Sequence, residues 1–201
     1  MARTKIYLYA AVAIFLIVFL FFFLAPAVRN SLAEQSYMET PTIPPAKAVW
    51  TSFASIRIKA TEDEVFDVIT KFDDYSSWSS SISDYKFDLP GIPQTGSHGT
   101  FKLYFDGFGS RTATFRITLL DRQRKRIAQR TTTYPRWLLG GETVQEVVPV
   151  EGSNGACEYR TYHTIEGLAA YYLLMAATEE LAETQQKSAG ELKAFIERQK
   201  R

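Results

Sequence analysis

His98 and His163 are the side chains whose chemistry suits proton transfer near neutral pH. His163 lies in a strand-like segment, 156–165, on the same parity as Tyr159, so both side chains should face the same side of a sheet. We therefore predict His163 and Tyr159 as catalytic residues, with a hydrogen-bonded structural histidine as the alternative interpretation. His98 stands in a glycine-containing stretch, where a loop at the rim of a pocket is expected, and is the weaker candidate.

The remaining composition excludes several kinds of chemistry. Two histidines without nearby carboxylates at ligand spacing predict no metal site, and no glycine-rich phosphate loop, nucleophile elbow or nucleotide motif occurs. We therefore expect no cofactor. The single cysteine, Cys157, is interpreted as a small buried hydrophobe. The chain has 23 basic and 22 acidic residues, a balance that argues against nucleic acid as a partner, and residues 122–126 (RQRKR) are read as a solvated turn.

Alternation along the strand-like segments predicts an apolar inner surface. Aromatic residues make up 14% of the chain, enough to line a pocket as well as fill a core. Plain core packing is the alternative for each of these positions. The predicted ligand-binding residues are Phe101, Leu103, Phe105, Phe115, Ile117, Thr161, Tyr171 and Leu174.

About seven strands and a long helix must position these residues. Apolar or small residues recur every three or four positions from 168 to 200, which predicts a terminal helix of roughly 45 Å. Thr61 and Glu64 form a capping box before a short amphipathic helix. Short loops between strands favour an antiparallel sheet. The predicted strands cover 50–59, 83–89, 99–105, 112–120, 126–133, 142–150 and 156–165.

Two further groups have open interpretations. Residues 134–141 (YPRWLLGG) form an unusually apolar connection, which is either a lid or membrane-dipping tip, or a loop folded back on the core. Four polar residues are expected on the opposite face of the sheet, on a solvated surface: Arg130, Glu146, Arg160 and Tyr162.

The N-terminal part divides into two segments. Residues 6–28 carry no charge, so residues 1–29 are predicted to be a transmembrane anchor, with a cleaved signal peptide as the competing interpretation. Residues 30–48 contain three prolines and no apolar period, which predicts an unpacked flexible tether before a domain at 49–201. Basic residues before the apolar run favour a lumenal or external domain. We expect a single-pass protein of the endoplasmic reticulum or another endomembrane.

Two motifs resemble the SRPBCC superfamily, which includes START-like, coenzyme Q-binding and polyketide cyclase/dehydrase proteins. The first is 56–69 (IRIKATEDEVFDVI) with 72–75 (FDDY) and Trp78. The second is 157–163 (CEYRTYH) with Gly167 before the last helix. The resemblance implies an α+β helix-grip fold, in which a curved antiparallel sheet of about seven strands wraps a long C-terminal helix around a cavity.

The same resemblance implies a protein that binds a hydrophobic small molecule. It leaves two functions open, because the superfamily contains enzymes and carriers. One is a cofactor-free cyclase, dehydratase or isomerase of polyketide- or terpenoid-type biosynthesis. The other is a non-catalytic binding or transfer protein for a lipid, sterol or quinone. A short tether tilts the choice towards the enzyme, since it restricts how far cargo could be carried.

Overall fold

The computed structural model describes residues 39–105, 109–152 and 155–200. Seven strands form one antiparallel sheet in the order β1-β7-β6-β5-β4-β3-β2. The strands are β1 (Ala48–Ile58), β2 (Ile82–Phe87), β3 (His98–Phe105), β4 (Gly109–Asp121), β5 (Arg126–Thr131), β6 (Gly140–Pro149) and β7 (Cys157–Glu166). The helices are α1 (Glu62–Thr70), a 3-10 helix (Phe72–Ser77) and α2 (Leu168–Gln199).

The long helix α2 packs against the sheet at β1 and β7. Ala189, Leu192 and Ile196, spaced at helical intervals, are the fully buried face of its second half. The predicted seven-stranded antiparallel sheet with a long terminal helix is therefore confirmed.

Local chemistry explains where the first helix begins. Thr61 Oγ1 accepts a hydrogen bond from the Glu64 backbone N–H at 3.3 Å, and the Glu64 carboxylate accepts one from the Thr61 backbone N–H at 2.7 Å. This is the predicted capping box. Because α1 starts there, its apolar side chains Val65, Phe66 and Ile69 are directed into the core.

Aromatic rings fill the space between the short helices and β2 to β4. Tyr85 lies at the centre, with ring centroids 4.8 Å from Tyr75, 5.1 Å from Phe72, 5.3 Å from Phe101 and 5.2 Å from Phe115. Edge-to-face and offset pairs at these distances are favourable beyond simple area burial. This half of the inner face is therefore a packed aromatic core.

The predicted unpacked tether is wrong for residues 39–48. Ala48 already belongs to β1, and Thr40 and Ile43 are buried against the outer face of the sheet. Thr42 donates hydrogen bonds from its backbone N–H and its hydroxyl to Glu142 Oε2, both at 2.8 Å. Glu142 is fully buried, so it requires such donors, and a segment a hundred residues away supplies them.

The docked segment also changes the outer face of the sheet. Arg130 and Tyr162, predicted to be solvated, are buried there at 6% and 2% exposure. Arg130 forms an ion pair with Glu166, and the Tyr162 hydroxyl donates to the Glu39 carbonyl at 3.1 Å. The other two residues, Glu146 and Arg160, remain partly exposed and form a loose ion pair at 4.0 Å.

The predicted anchor, residues 1–29, and the tether up to residue 38 lie outside the described residues. Within the part of the chain that the structure does describe, no helix combines the length and apolar character needed to cross a bilayer.

Candidate functional site

A row of polar residues crosses the inner face of the sheet. Cross-strand pairing places Ser52 opposite His163, His163 opposite Thr143, and Thr143 opposite Gln129. Directly opposite residues of antiparallel strands share a face, so these four side chains form one line across β1, β7, β6 and β5. We call Ser52, His163, Thr143 and Gln129 the polar row.

His163 is the titratable member of the polar row. Its Nδ1 lies 2.8 Å from Thr143 Oγ1, and its ring packs directly on Gly141, where a Cβ atom would come within 2.8 Å of Cε1. Burial lowers the pKa of His163 from 6.5 to about 4, and the nearby Glu142 carboxylate opposes that shift. The imidazole is therefore neutral at physiological pH and available as a hydrogen-bonding group.

Ser52 contributes a buried hydroxyl to the row. Its side chain is 4% exposed, and no hydrogen-bond partner for Oγ lies within the described ranges. Leaving a buried polar group unsatisfied costs about 1–3 kcal/mol. A ligand oxygen placed beside Ser52 could accept a hydrogen bond from its hydroxyl and remove that cost.

Buried phenols flank the polar row, and two glutamines satisfy them. The Tyr159 hydroxyl donates to Gln145 Oε1 at 2.8 Å, and Gln145 Nε2 donates to the Tyr75 hydroxyl at 3.1 Å. Gln129 instead contacts a single phenol: its Nε2 donates to the Tyr85 hydroxyl at 2.8 Å, and that hydroxyl lies 2.9 Å from Gln129 Oε1, to which it can donate. Burial raises the pKa of Tyr75 to about 12 and raises the pKa values of Tyr85 and Tyr159, so all three remain protonated donors.

The sequence-predicted residues separate into groups. Tyr159 and Thr161 lie on the inner face next to the polar row, and Thr161 Oγ1 donates to Gln185 Oε1 of α2 at 3.2 Å. Phe101, Phe115 and Ile117 belong to the packed core, with Leu103 partly buried at its edge. On α2, Leu174 is buried and Tyr171 is partly buried, whereas the side chain of Phe105 lies outside the description.

Two candidates are not part of this site. His98 is exposed at the start of β3, and its Nε2 lies 3.3 Å from Asp88 Oδ2. Cys157 is fully buried, and burial raises the pKa of its thiol to about 11, which confirms its interpretation as a small hydrophobe. Among the side chains that the structure describes, no three from His, Cys, Asp or Glu form a metal-binding group.

Sequence reasoning missed Ser52, Gln129, Thr143 and Gln145 as site residues. Each had a usable signal, because each is a polar residue on the inward parity of its strand. Ser52 precedes Ala54 on β1, Gln129 follows Ile127 on β5, and Gln145 precedes Val147 on β6.

A seven-stranded antiparallel sheet closed around a long C-terminal helix defines the helix-grip class of proteins. Within that class, the chain belongs to the polyketide cyclase/dehydrase and lipid transport family, whose model matches residues 50–197. This confirms the resemblance to the SRPBCC superfamily. No curated protein sequence matches the chain.

Solved structures share the fold at low sequence identity. The Zhui aromatase/cyclase from Streptomyces sp. R1128 superposes with a TM-score of 0.60 at 14% identity, covering 76% of this chain and 96% of the other. A norcoclaurine synthase from Thalictrum flavum, solved with a transition-state analogue, gives 0.56 at 11% identity, covering 76% and 96%. A hypothetical protein from Helicobacter pylori gives 0.63 at 10% identity, covering 81% and 96%. Identities this low show the common fold alone.

Proposed function

We propose that the protein binds a hydrophobic small molecule between the inner face of the sheet and the first half of α2, and cyclises, dehydrates or isomerises it without a cofactor. The observation that carries this proposal is the polar row, a line of hydrogen-bonding groups on a face that also carries apolar side chains such as Ala54, Val147 and Ile165. Ligand sites typically combine apolar walls with a few polar groups that fix orientation. A polyketide- or terpenoid-type substrate, which is mostly apolar and carries a few oxygen atoms, suits that combination.

The chemistry assigned to the row is orientation and polarisation. When the Thr143 hydroxyl donates to Nδ1 of His163, the other ring nitrogen, Nε2, carries the proton and can donate to a substrate oxygen. The Ser52 hydroxyl can donate as well. Donors aimed at an oxygen that gains negative charge lower the barrier to enolisation, and a shaped wall selects the folded conformer that cyclises. The low pKa of His163 favours this donor role over that of a general base.

A non-catalytic carrier of a lipid, sterol or quinone is the second candidate. The observation in its favour is that Gln129, Gln145 and the buried phenols satisfy one another, leaving few groups for catalysis. The family description also includes lipid transport.

The experiment uses the full chain purified in detergent. Native mass spectrometry identifies any retained molecule, and incubation with polyketide- and terpenoid-type metabolites followed by liquid chromatography–mass spectrometry detects turnover. We expect turnover to fall in His163→Ala, in Ser52→Ala and in the space-filling variant Thr161→Trp. The matched control His98→Ala changes an exposed histidine and should retain wild-type turnover.

Ser52→Ala separates function from folding. Removing an unsatisfied buried hydroxyl should leave the stability unchanged or raise it by about 1 kcal/mol, so any loss of turnover there is not a folding defect. Retention of one unchanged lipid per chain, with no product, would favour the carrier. Neither binding nor turnover of any apolar compound would contradict both functions.

We also propose that residues 1–29 anchor the protein as a single-pass membrane protein of the endoplasmic reticulum or another endomembrane, with the domain in the lumen. The support is the charge-free run at 6–28. Alkaline carbonate should leave the wild type in the membrane and extract a variant carrying Leu16→Arg and Leu20→Arg. In sealed microsomes, protease should spare the domain, and its digestion would contradict the orientation.

A further inference from the structure

Four large apolar side chains are exposed together where α2 begins. Tyr134 and Trp137, in the connection between β5 and β6, are 49% and 66% exposed, and Leu168 and Tyr172 of α2 are 48% and 64% exposed. We call these four residues the aromatic end patch. Exposed apolar residues are common singly, but a cluster of them marks an interaction site.

Backbone hydrogen bonds place Trp137 beside the start of α2. The Leu168 N–H donates to the Trp137 carbonyl at 3.0 Å, and the Ala169 N–H donates to the Leu138 carbonyl at 2.8 Å. Leu168 and Tyr172 are four residues apart on a helix and therefore lie on the same face. The first N–H groups of a helix have no partner within the helix. Two of them in α2 therefore hydrogen bond to the connection that carries Trp137.

Side-chain contacts hold this connection in place. Arg136 Nε lies 2.9 Å from Glu166 Oε1, and Arg136 Nη2 donates to the Thr42 carbonyl at 2.8 Å. Leu138 and Leu139 are both partly buried, so the segment turns its two leucines inward while it presents Trp137 outward. The interpretation as a loop folded back on the core therefore holds for the leucines of this segment, and the lid or membrane-dipping tip stays a prediction for Trp137.

The chemistry of the patch fits a lipid surface. Tryptophan and tyrosine, with apolar bodies and polar edges, are the residues enriched where a protein meets the bilayer interface. Arg136, next to Trp137, is paired with Glu166, so the aromatic residues rather than its charge suit the patch to lipid.

The length of the preceding chain permits this contact. Ten residues, 29–38, separate the apolar run from Glu39, and ten residues extend at most about 33–36 Å. The Glu39 carbonyl accepts a hydrogen bond from Arg126 at the start of β5. Arg130, near the end of β5 that leads into the patch, is four residues further along the strand, or about 13 Å. The reach therefore exceeds the distance from Glu39 to the end of the sheet that carries the patch.

We propose that the aromatic end patch inserts into the interface of a lipid bilayer and that hydrophobic ligand passes between the bilayer and the inner face there. The proposal rests on the membrane attachment proposed above. The polar row lies close to this end, because His163 and Thr143 are each two residues, about 7 Å, from Ile165 and Gly141 at the strand ends.

Tryptophan fluorescence of the full chain in lipid nanodiscs tests the proposal. The chain has three tryptophans, and Trp50 and Trp78 are buried at 3% and 7% exposure, so Trp137 is the one within reach of an external quencher. Discs of phosphatidylcholine with brominated acyl chains should quench up to about one third of the emission relative to unbrominated discs, because Trp137 is one of three. Trp137→Phe should abolish that difference.

A second pair of variants keeps the reporter in place. Tyr172→Asp puts a charge into the patch and should reduce the quenching by brominated lipid at least twofold. Ile92→Asp makes the same kind of change at an 83% exposed residue between β2 and β3, and should leave quenching unchanged. Equal quenching in both variants would contradict the assignment of the patch.

Other outcomes identify other occupants. Co-elution with discs, no quenching by brominated lipid and full quenching by aqueous acrylamide would overturn this proposal while leaving the anchor intact. Shielding from both quenchers, with cross-links between chains, would assign the patch to a second copy and also overturn it. A chain that elutes apart from the discs would contradict the anchor and the patch together.

Discussion

Thr42→Val tests whether residues 39–47 are part of the folded domain. Valine keeps the shape of threonine but removes the hydroxyl, which accepts from Arg130 Nη1 at 2.6 Å and donates to Glu142 Oε2 at 2.8 Å. The backbone hydrogen bonds of residue 42 to Glu142 and Arg136 can persist. The substitution therefore removes two hydrogen bonds to charged groups without creating a cavity.

The expected loss follows from those two bonds. A hydrogen bond to a charged partner contributes about 1.5–3 kcal/mol. Thr42 is partly exposed, so water can replace some of the lost interaction, and we expect the low end of the sum, about 3 kcal/mol. For a domain of this size that corresponds to a fall in Tm of about 6–12 °C.

Thermal unfolding of the full chain in detergent measures the effect. Thr112→Val, at an exposed position of β4, is the matched control and should change the free energy of unfolding by less than about 0.5 kcal/mol. Hydrogen exchange gives an independent readout, because the amides of Thr42 and Ile43 are both hydrogen bonded, at 2.8 and 3.1 Å. Equal Tm values for the two variants, with unprotected amides at 39–47 in the wild type, would refute the docking of this segment.

Two further predictions concern His163 and the start of α2. Because the folded state holds the pKa of His163 at about 4 against 6.5, the unfolded state binds more protons between these pH values, and stability should fall by up to about 3 kcal/mol as pH drops through that window. Urea titrations should show a weaker fall in His163→Gln and the wild-type fall in His98→Gln; an equal slope in both would contradict the assignment. Gly167 has φ of +98°, and a Cβ there would lie 2.7 Å from the Leu138 carbonyl oxygen, so Gly167→Ala should destabilise by at least about 1 kcal/mol. Gly190→Ala, with nothing within 4 Å of the added Cβ, should stabilise by about 0.5–1 kcal/mol, and the same sign for both alanines in thermal unfolding would be inconsistent with this packing.

The fold was predictable because its signals are local. Alternating residues such as Ala54, Ile56 and Ile58 specify a strand whatever the rest of the chain does, and the Thr61–Glu64 box specifies where a helix starts. The helical period of apolar residues along α2 likewise depends only on the residues of that helix. Boundaries shifted by a few residues where pairing with a neighbour, rather than local pattern, decides where a strand ends.

The site was predictable only in part, because it depends on register. Parity placed His163 and Tyr159 on one face and could have placed Ser52, Thr143 and Gln129 on the inward side of their own strands. That these three lie in line with His163 follows from cross-strand register, which no local pattern specifies. For a related reason, the sequence pattern could not distinguish apolar residues that line a pocket from those that fill the core. Phe101 and Phe115 pack against Tyr75 and Tyr85, which belong to other elements.

The docked N-terminal segment was missed because its partners are remote. Proline-rich composition correctly excludes a helix or central strand at 41–45, yet it does not say whether the segment is solvated. Two charged residues on the outer face, Arg130 and Glu142, supply the missing information, since ions buried on a sheet require partners. The sequence shows that both residues face the same side of the sheet. It does not show that they are buried, because the segment at 39–47 that covers them is remote in the chain.

The pair Gly140–Gly141 shows how the two faces depend on the same strand. Consecutive residues of β6 face opposite sides, so Gly140 lies under the Arg130–Glu166 ion pair and Gly141 lies under the ring of His163. A Cβ at Gly140 would collide with the Arg130 guanidinium, and one at Gly141 would come within 3.0 Å of His163 Nε2. In the sequence the pair stands at the end of the apolar connection 134–141 and has no phosphate-loop context. Its physical role is that two adjacent positions without side chains let a buried ion pair and a partly buried imidazole both pack directly against one strand.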